Sequence, residues 1–531
     1  MNTLKLDSKN KNDLSTAAAI LRNGGLVAIP TETVYGLAAN ALDAEAVKKI
    51  FIAKGRPNDN PLIVHISSLE EVSPLVKEID PRLYDLADKF WPGPLTVILK
   101  KSDAVPNEVS PGLDTVAIRM PLHPDAREII RLAGVPLAAP SANASGKPSP
   151  TSVNHVIDDL DGRIDAAIDG GECSVGVEST VITLVTNPPT LLRPGGVTVE
   201  QLEKVLGKIA ISSAVTEKLK DNEKAESPGM KYKHYAPKAR VTVVKGDFEK
   251  YKSFMLAQKI SACAVCFDGE GKYFENAVEY GAENDGASQA HGLFDALREV
   301  DESGCETAFV RCPSADGVGL AVYNRLIRSA AFRVIDLEIG IPVIGLTGQT
   351  GAGKSTVSKL LEAKEIYNVD ADYLARVAVE NSEVIAALIE NFGADIIVNG
   401  ALDRRELARR AFSDPEKQKK LNAIVHPEVT RLALEEIHKA EKSGAKAALI
   451  DAALLFESDL TAISTFTVSV IADKETRLER IIKRDSISRE DALIRIKAQK
   501  SEEYYVDNAD VVIRNNGEDL NTEIKKIIER I

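Results

Sequence analysis

The sequence predicts an α/β protein of several domains, and three observations carry that reading. Short apolar strands alternate with amphipathic helices along most of the 531 residues. Polar loops rich in Gly and Pro follow several of those strands, where such folds place ligands. At 342–356 an apolar strand runs through Gly348-x-x-x-x-Gly353-Lys354-Ser355 directly into a helical pattern, the order a phosphate-binding P-loop requires. Gly348, Gly351, Ala352 and Gly353 let backbone N–H groups converge on an anion. Lys354 reaches the β- and γ-phosphates, the Ser355 hydroxyl can ligate Mg²⁺, and Thr356 continues the helix start. P-loop folds usually begin with this strand, yet about 340 residues precede it, so a complete structure is expected upstream.

Length alone allows three or four domains. With 44% hydrophobic and 27% charged residues the composition is that of a globular protein, and no apolar run of about 18 residues is present to span a bilayer. The opening Met-Asn-Thr-Leu-Lys-Leu lacks the apolar core of a signal peptide, and the expectation is a cytoplasmic protein without a membrane partner. A net charge of −13 argues against a broad electrostatic grip on nucleic acid. Five cysteines, an odd and sparse set, fit a reducing compartment. Cys263-Ala-Val-Cys266 has CxxC spacing, but it lies in a strand-like run, where residues three apart face opposite sides; packed thiols are favoured over zinc, and no zinc site is expected.

Residues 1–210 read as a twisted α/β domain: helices at 14–22, 44–53, 81–90 and 125–133, strands at 26–29, 62–65, 95–99, 115–119 and 181–185. Its loops carry the chemistry. Pro30-Thr-Glu-Thr-Val-Tyr-Gly-Leu37 offers hydroxyls, a carboxylate and a phenol. Lys54-Gly-Arg56-Pro-Asn-Asp-Asn-Pro61 sets two cations two residues apart, suited to clamping phosphates. Ser141-Ala-Asn-Ala-Ser-Gly-Lys-Pro-Ser149-Pro-Thr151, Gly176-Val-Glu-Ser179-Thr-Val181 and Leu192-Arg193-Pro-Gly-Gly196 complete the set. Singly, each is as readily an ordinary turn.

Together with Trp91-Pro-Gly-Pro94, these segments resemble the YrdC-like threonylcarbamoyl-AMP synthases over the whole of 1–210. The resemblance implies formation of threonylcarbamoyl-adenylate from L-threonine, bicarbonate and ATP with release of pyrophosphate, feeding N6-threonylcarbamoyladenosine synthesis in tRNA. The tRNA is then a partner only indirectly, through a downstream transferase. Carried over by position, it assigns Thr31, His65, Arg119 and Ser179 to threonine or its carbamate, and Lys54, Arg56, Thr115, Ser141, Ser149 and Arg193 to ATP. Such chemistry rests on positioning and charge, which Lys54 and Arg56 supply. His65 has an alternative as a core histidine capped by a backbone carbonyl.

Residues 211–238 shift to a charged linker ending in Ser227-Pro-Gly-Met-Lys-Tyr-Lys-His-Tyr235-Ala-Pro237, whose tyrosines and cations can stack on a base and touch phosphates. In the long, two-domain synthases it resembles, this segment is a lid, with Tyr235 at the nucleotide; a plain tether is the alternative. Residues 239–338 predict a small parallel α/β accessory domain without converging catalytic groups, for which the resemblance implies regulation or lid support.

Residues 341–531 belong to the P-loop. Val369-Asp370-Ala-Asp372 reads as a strand end whose alternation puts both carboxylates on one side, at the mouth of the nucleotide site, one toward Mg²⁺ and one as base for an acceptor hydroxyl. A second core strand ends in Asp451, and Arg477, Arg480, Lys483 and Arg484 recur along a helix, either as a lid or as solvated surface. The stretch, with Leu421-Asn-Ala-Ile-Val-His-Pro427, Leu454-Leu-Phe-Glu457, Arg495-Ile-x-x-Gln499 and Asp510-Val-Val-Ile-x-Asn-Asn-Gly517, resembles dephospho-coenzyme A kinase throughout. That implies a P-loop kinase domain transferring phosphate from ATP, with Mg²⁺ held through Ser355 and Asp370, to the ribose 3′-hydroxyl of dephospho-CoA, Asp372 as base, and Arg480 and Arg484 on the lid. Gln349 replaces the usual second glycine, and Ala453 a usual proline.

The expectation is thus a bifunctional enzyme with two separate ATP sites. Its rivals are an RNA-binding front module, which would need a basic face, a non-catalytic nucleotide sensor, and another small-molecule or nucleotide kinase at the C-terminal end.

Overall fold

A computed structural model describes residues 2–57, 60–217, 235–258 and 261–531. Of the 211–238 segment expected as a linker or lid, residues 218–234 lie outside the described residues, as do Asn58 and Asp59. The chain forms two compact units, one of Met1–Val243 with Cys263–Arg333, the other of Val244–Ala262 with Val334–Ile531.

The first unit is built on an eleven-stranded mixed sheet. Its strands are β1 (Leu4–Asp7), β2 (Val27–Ile29), β3 (Gly36–Asn40), β4 (Ile63–His65), β5 (Leu95–Lys100), β6 (Thr115–Arg119), β7 (Leu137–Ala138), β8 (Ala166–Asp169), β9 (Thr180–Thr183), β10 (Thr190–Arg193) and β11 (Ala210–Ile211). They lie in the order β1-β8-β2-β3-β7-β4-β6-β5-β9-β10-β11. Alternation along one strand feeds two cores: Ala28 packs with Tyr35, Val64 and Ile118 on one face, while Val27 and Ile29 pack with Leu14, Leu21 and Ile129 on the other. Several of the helices that cover the faces start where short polar side chains satisfy free N–H groups. Asp43 caps Ala44–Lys54 by accepting from Glu45 and Ala46 N–H, and Thr198 forms a reciprocal capping box with Gln201.

Register places the chemistry. In the parallel pair β4–β6, His65 stands opposite Arg119, and in the antiparallel pair β5–β6, Arg119 stands opposite Thr96. Arg193, expected in a loop, is the last residue of β10, because Thr190–Arg193 pairs with β9 across a bulge between Leu191 and Arg193. The Pro30–Leu37 motif likewise runs into a strand at Gly36. The remainder of this unit holds the first four residues of β12 (Arg240–Lys245), then β13 (Cys263–Cys266), β14 (Ala277–Glu279) and β15 (Thr307–Arg311), ordered β14-β13-β15-β12, with β13 parallel to both neighbours. Cys263 and Cys266 are buried in β13.

The second unit contains β16 (Val334–Asp336), β17 (Val343–Gly348), β18 (Ile366–Asp370), a short ribbon of β19 (Ile397–Val398) and β20 (Ala401–Leu402), then β21 (Ala447–Asp451), β22 (Phe466–Ile471) and β23 (Val511–Arg514). The main sheet runs β18-β21-β17-β22-β23, parallel at every pairing. All six residues of β17 are buried, as a strand covered on both faces must be. The sheet opens its strand ends at the P-loop, between β17 and the helix Lys354–Glu362. Among the described residues no helix is long and apolar enough to cross a membrane.

Candidate active sites

In the first unit, a cavity of about 50 Å³ gathers residues from loops far apart in sequence. Thr31, Arg56, His65, Arg119, Ser141, Ser179, Arg193 and Tyr235 all line it. Thr33, Asn143 and Glu178 also reach it; Asn143 and Glu178 lie inside segments the sequence singled out but were assigned no role there.

The cavity is a buried electrostatic network. Arg119 and Glu32, 4% and 3% exposed, approach to 2.8 Å, so the cation that faces the cavity is balanced from behind. Burial, then the neighbouring Arg119, pushes the His65 imidazole down to about 3; its Nδ1 lies 3.2 Å from the Ile63 carbonyl. A neutral ring that lines the cavity while tied to backbone satisfies both readings of His65. Arg193 donates through Nε to the Ser179 carbonyl at 3.1 Å and through a terminal nitrogen to Ser179 Oγ at 3.2 Å. Ser179 Oγ lies 2.7 Å from Thr96 Oγ1. Burial lowers the Arg193 guanidinium to about 10. Gly195 lets this loop close on its neighbour: a Cβ there would collide with Thr180 N and the Glu178 carbonyl. Tyr235, at φ 63°, is buried with its ring 5.2 Å from that of Phe294.

Three residues expected at ATP do not line this cavity. Lys54 is buried at the end of its helix and does not line the cavity. Its Nζ donates to the Ser141 carbonyl, to the Asn143 carbonyl at 2.6 Å and to Asn143 Oδ1 at 3.3 Å. It therefore braces the 141–143 loop, and burial and then Arg56 lower its pKa well below the ordinary lysine value. Ser149 is fully buried and donates to Glu178 Oε1 at 2.6 Å. Thr115 starts β6 opposite Lys100 and is not among the cavity-lining residues.

In the second unit the P-loop is anchored from four directions. Gln349 N–H donates to the Val470 carbonyl at 3.0 Å, and Thr350 N–H to Gln499 Oε1 at 2.9 Å. Arg477 donates to the Thr350 carbonyl at 3.0 Å and to Gln499 Oε1 at 2.7 Å. Asn515 Nδ2 donates to the Ala352 carbonyl at 2.8 Å, and Arg480 to the Asn515 carbonyl at 2.9 Å. Gly353 has φ 97°, and a Cβ there would meet Asn515 Nδ2. Arg477 and Arg480 thus hold the loop, whereas Arg484 is exposed and paired with Asp485 at 2.7 Å. Gly348 ends β17, Gly351 follows at φ 82°, and Lys354, Ser355 and Thr356 form the first turn of the helix.

Lys354 is ion-paired with Asp451, a partner the sequence placed only as the end of a core strand. Asp370 and Asp372 do not share a strand face. Asp370 ends β18 and caps the helix Ala371–Ala378, accepting the Tyr373 N–H at 2.9 Å, and Asp372 lies in that helix's first turn because the Asp370 cap stops the strand. Burial outweighs Lys354 to raise the Asp372 pKa, with Asp370 and Asp451 adding to the rise. Asp372 borders a cavity of about 340 Å³ whose wall includes Arg376, Arg404, Leu407, His426, Leu454 and Asp459. Ala452 and Leu454 reach this wall and Ala453 does not; the Ala453 carbonyl accepts from Thr347 Oγ1 at 3.2 Å, a bond a proline carbonyl could equally accept.

Residues 19–195 match the family model described as telomere recombination, 197–331 that of the threonylcarbamoyl-AMP synthase C-terminal domain, and 342–521 that of dephospho-CoA kinase. The chain is 51% identical over 323 residues to a threonylcarbamoyl-AMP synthase of Pyrococcus abyssi, covering 60% of this chain and 94% of that protein. It is also 40% identical over 192 residues to a dephospho-CoA kinase of Corynebacterium glutamicum, covering 35% of this chain and 96% of that one. The chain belongs to both families, joined end to end. The synthase part is also similar to the solved structure of Pyrococcus abyssi Sua5 complexed with L-threonine, at 46% identity and a TM-score of 0.59, covering 63% of this chain and 99% of that one. The synthase and kinase parts each match nearly the full length of these relatives.

Proposed function

We propose that the first unit makes threonylcarbamoyl-AMP and the second phosphorylates the 3′-hydroxyl of dephospho-CoA, each with its own ATP. The observation that carries the first half is the convergence of Arg56, Arg119 and Arg193 with the hydroxyls of Thr31, Ser141 and Ser179 around one cavity. In the reaction, the threonine amine attacks bicarbonate and water leaves; a carbamate oxygen then attacks the ATP α-phosphorus and pyrophosphate leaves. No protein nucleophile is needed. Thr31, His65, Arg119 and Ser179 hold threonine and its carbamate, the neutral His65 accepting or donating a hydrogen bond without adding charge. Arg56, Ser141 and Arg193 face the triphosphate, with Tyr235 closing on the nucleotide, while Lys54 and Ser149 set the loops that present them. The threonine-bound Pyrococcus relative supports the amino-acid side of this assignment.

For the kinase the supporting observation is the placement of Asp372 between the Lys354–Asp451 pair and the apolar cavity. The dephospho-CoA hydroxyl approaches from that cavity, Asp372 accepts its proton, and the braced P-loop N–H groups with Lys354 hold the phosphates. Ser355 and Asp370 offer hydroxyl and carboxylate oxygens, the donors Mg²⁺ takes, and bound Mg²⁺ with ATP would neutralise phosphate charge there. The synthase product goes to a downstream transferase acting on tRNA, and the site of both reactions is the cytoplasm.

The test is a product assay on the purified full chain. Pyrophosphate and threonylcarbamoyl-AMP should appear only when ATP, threonine and bicarbonate are all supplied, and ADP with coenzyme A only when dephospho-CoA is. Salt-sensitive RNA binding with no pyrophosphate release would overturn the first assignment, and ADP formation with nucleosides but not dephospho-CoA the second.

A further inference from the structure

The helix Gly319–Ser329 lies outside the segments that carry the synthase motifs, yet it delivers a fully buried guanidinium to them. Arg325 donates through Nε to Glu178 Oε2 at 2.9 Å and through one terminal nitrogen to the Glu178 carbonyl at 3.1 Å; its other terminal nitrogen bonds the Pro194 carbonyl. Glu178 lines the cavity, and its second oxygen accepts from Ser149. One arginine thus pins both loops that present Ser179 and Arg193, and sets the carboxylate that orients Ser149. We propose that Arg325 is a positioning residue of the synthase reaction, acting through Glu178, so that the accessory part completes the ATP site and does more than regulate or support a lid.

Charge and burial support this. Burial pushes Glu178 toward its neutral form, but Arg325, Arg193 and the Ser149 hydroxyl outweigh it and keep the carboxylate ionised. A buried carboxylate stripped of its principal ion pair either protonates or pulls its loop toward another cation, and Arg193, beside it in the cavity, is the cation within reach. Either outcome displaces a group that faces substrate. Helical spacing puts position 325 on the face buried with Ala321, Val322 and Ser329, yet the side chain it buries there is of a kind rarely found fully buried. Its three acceptors all lie on the two site loops, apart from weaker approaches at 3.4 Å to its own helix at Ala321 and Asn324.

This inference rests on the synthase reading, and the experiment separates the two. Wild-type chain that releases no pyrophosphate with ATP, threonine and bicarbonate overturns that reading and this inference with it. With active wild type, Arg325→Met should lower kcat/KM for ATP about a hundredfold, and Arg325→Lys, which keeps the charge, should recover at least about tenfold of the loss. Because the effect runs through Glu178, Arg325→Met in a Glu178→Gln background should cost less than about fivefold. Equal losses in both backgrounds, or an Arg325→Met variant within about threefold of wild type, overturn the proposal. Fluorescence of Trp91, the single tryptophan, reports folding of this unit. Should Arg325→Met fail to fold, Arg325→Lys takes its place in the two backgrounds, with about tenfold expected against under threefold and equal losses again decisive against it.

Discussion

The two triphosphate sites proposed for this chain would solve one problem with opposite materials. In the kinase part the proposed site is a turn of backbone leading into the first turn of the helix Lys354–Glu362, and side chains such as Arg477, Arg480, Gln499 and Asn515 serve to hold that backbone in place. In the synthase part the cavity is faced by guanidinium groups on β6, on β10 and at Arg56 just past the helix Ala44–Lys54, and the supporting layer is itself ionic: Glu32 behind Arg119, and Glu178 between Arg325 and Arg193. A backbone cradle is intrinsically neutral and needs little compensation when empty. Buried cations need counter-charges at fixed distances, so they depend on elements remote in the chain. The difference teaches that the kinase motif is written in one run of residues and only its bracing is remote, whereas in the synthase the groups that face the cavity are themselves drawn from segments far apart in the chain.

The sharpest break between the sites is Lys354→Ala. It should lower kinase turnover by about a thousandfold or more and leave pyrophosphate release by the synthase unchanged. Its counterpart, Arg56→Ala, should cost the synthase on the order of a hundredfold and spare the kinase. Parallel assays of both products on each variant decide it, and loss of both activities from either change contradicts independent sites.

A backbone site should also be sensitive where side-chain identity is irrelevant. Gly353→Ala adds a Cβ at φ 97° against Asn515 Nδ2 and should cost the kinase roughly ten- to a hundredfold, mainly in kcat/KM for ATP. Steady-state kinetics with ATP as the varied substrate measure it, and an unchanged value would mean that the loop relaxes around the methyl group.

The smallest effect concerns pH. His65, near 3 in the fold against 6.5 ordinarily, is neutral when folded and takes up a proton on unfolding. Its contribution is complete above pH 6.5 and is lost as pH falls toward 3, with a slope of up to about 1.4 kcal/mol per pH unit. Urea unfolding followed by Trp91 fluorescence should show this slope between about pH 6.5 and pH 5 in wild type and a flatter one in His65→Gln.

Legibility in the sequence followed the same divide. The P-loop, its flanking strand and helix, and the alternation behind the parallel sheet were readable because each depends on neighbours in the chain. The 3.6- and 2-residue periods likewise located most helices and strands of the first unit, while β3 and β10 run into segments read as loops for their Gly, Pro and polar residues, and the two residues of β7 are too few to show a period. Asp370 and Asp372 were misplaced on one strand face because the Asp370 side chain caps a helix, a local choice that alternation does not weigh.

By itself the sequence determined that two unrelated phosphate-handling segments share one polypeptide, and which loops carry the polar groups. Only the tertiary structure decided what those groups do: that Lys54 braces the 141–143 loop while Arg56 faces the cavity, that Asp451 meets Lys354, and that Glu178 is held by Arg325, 147 residues away. The physical reason is that a buried charge is set by whatever opposite charge the fold brings within about 3 Å, and pairing between distant residues leaves no period or spacing in the chain to read.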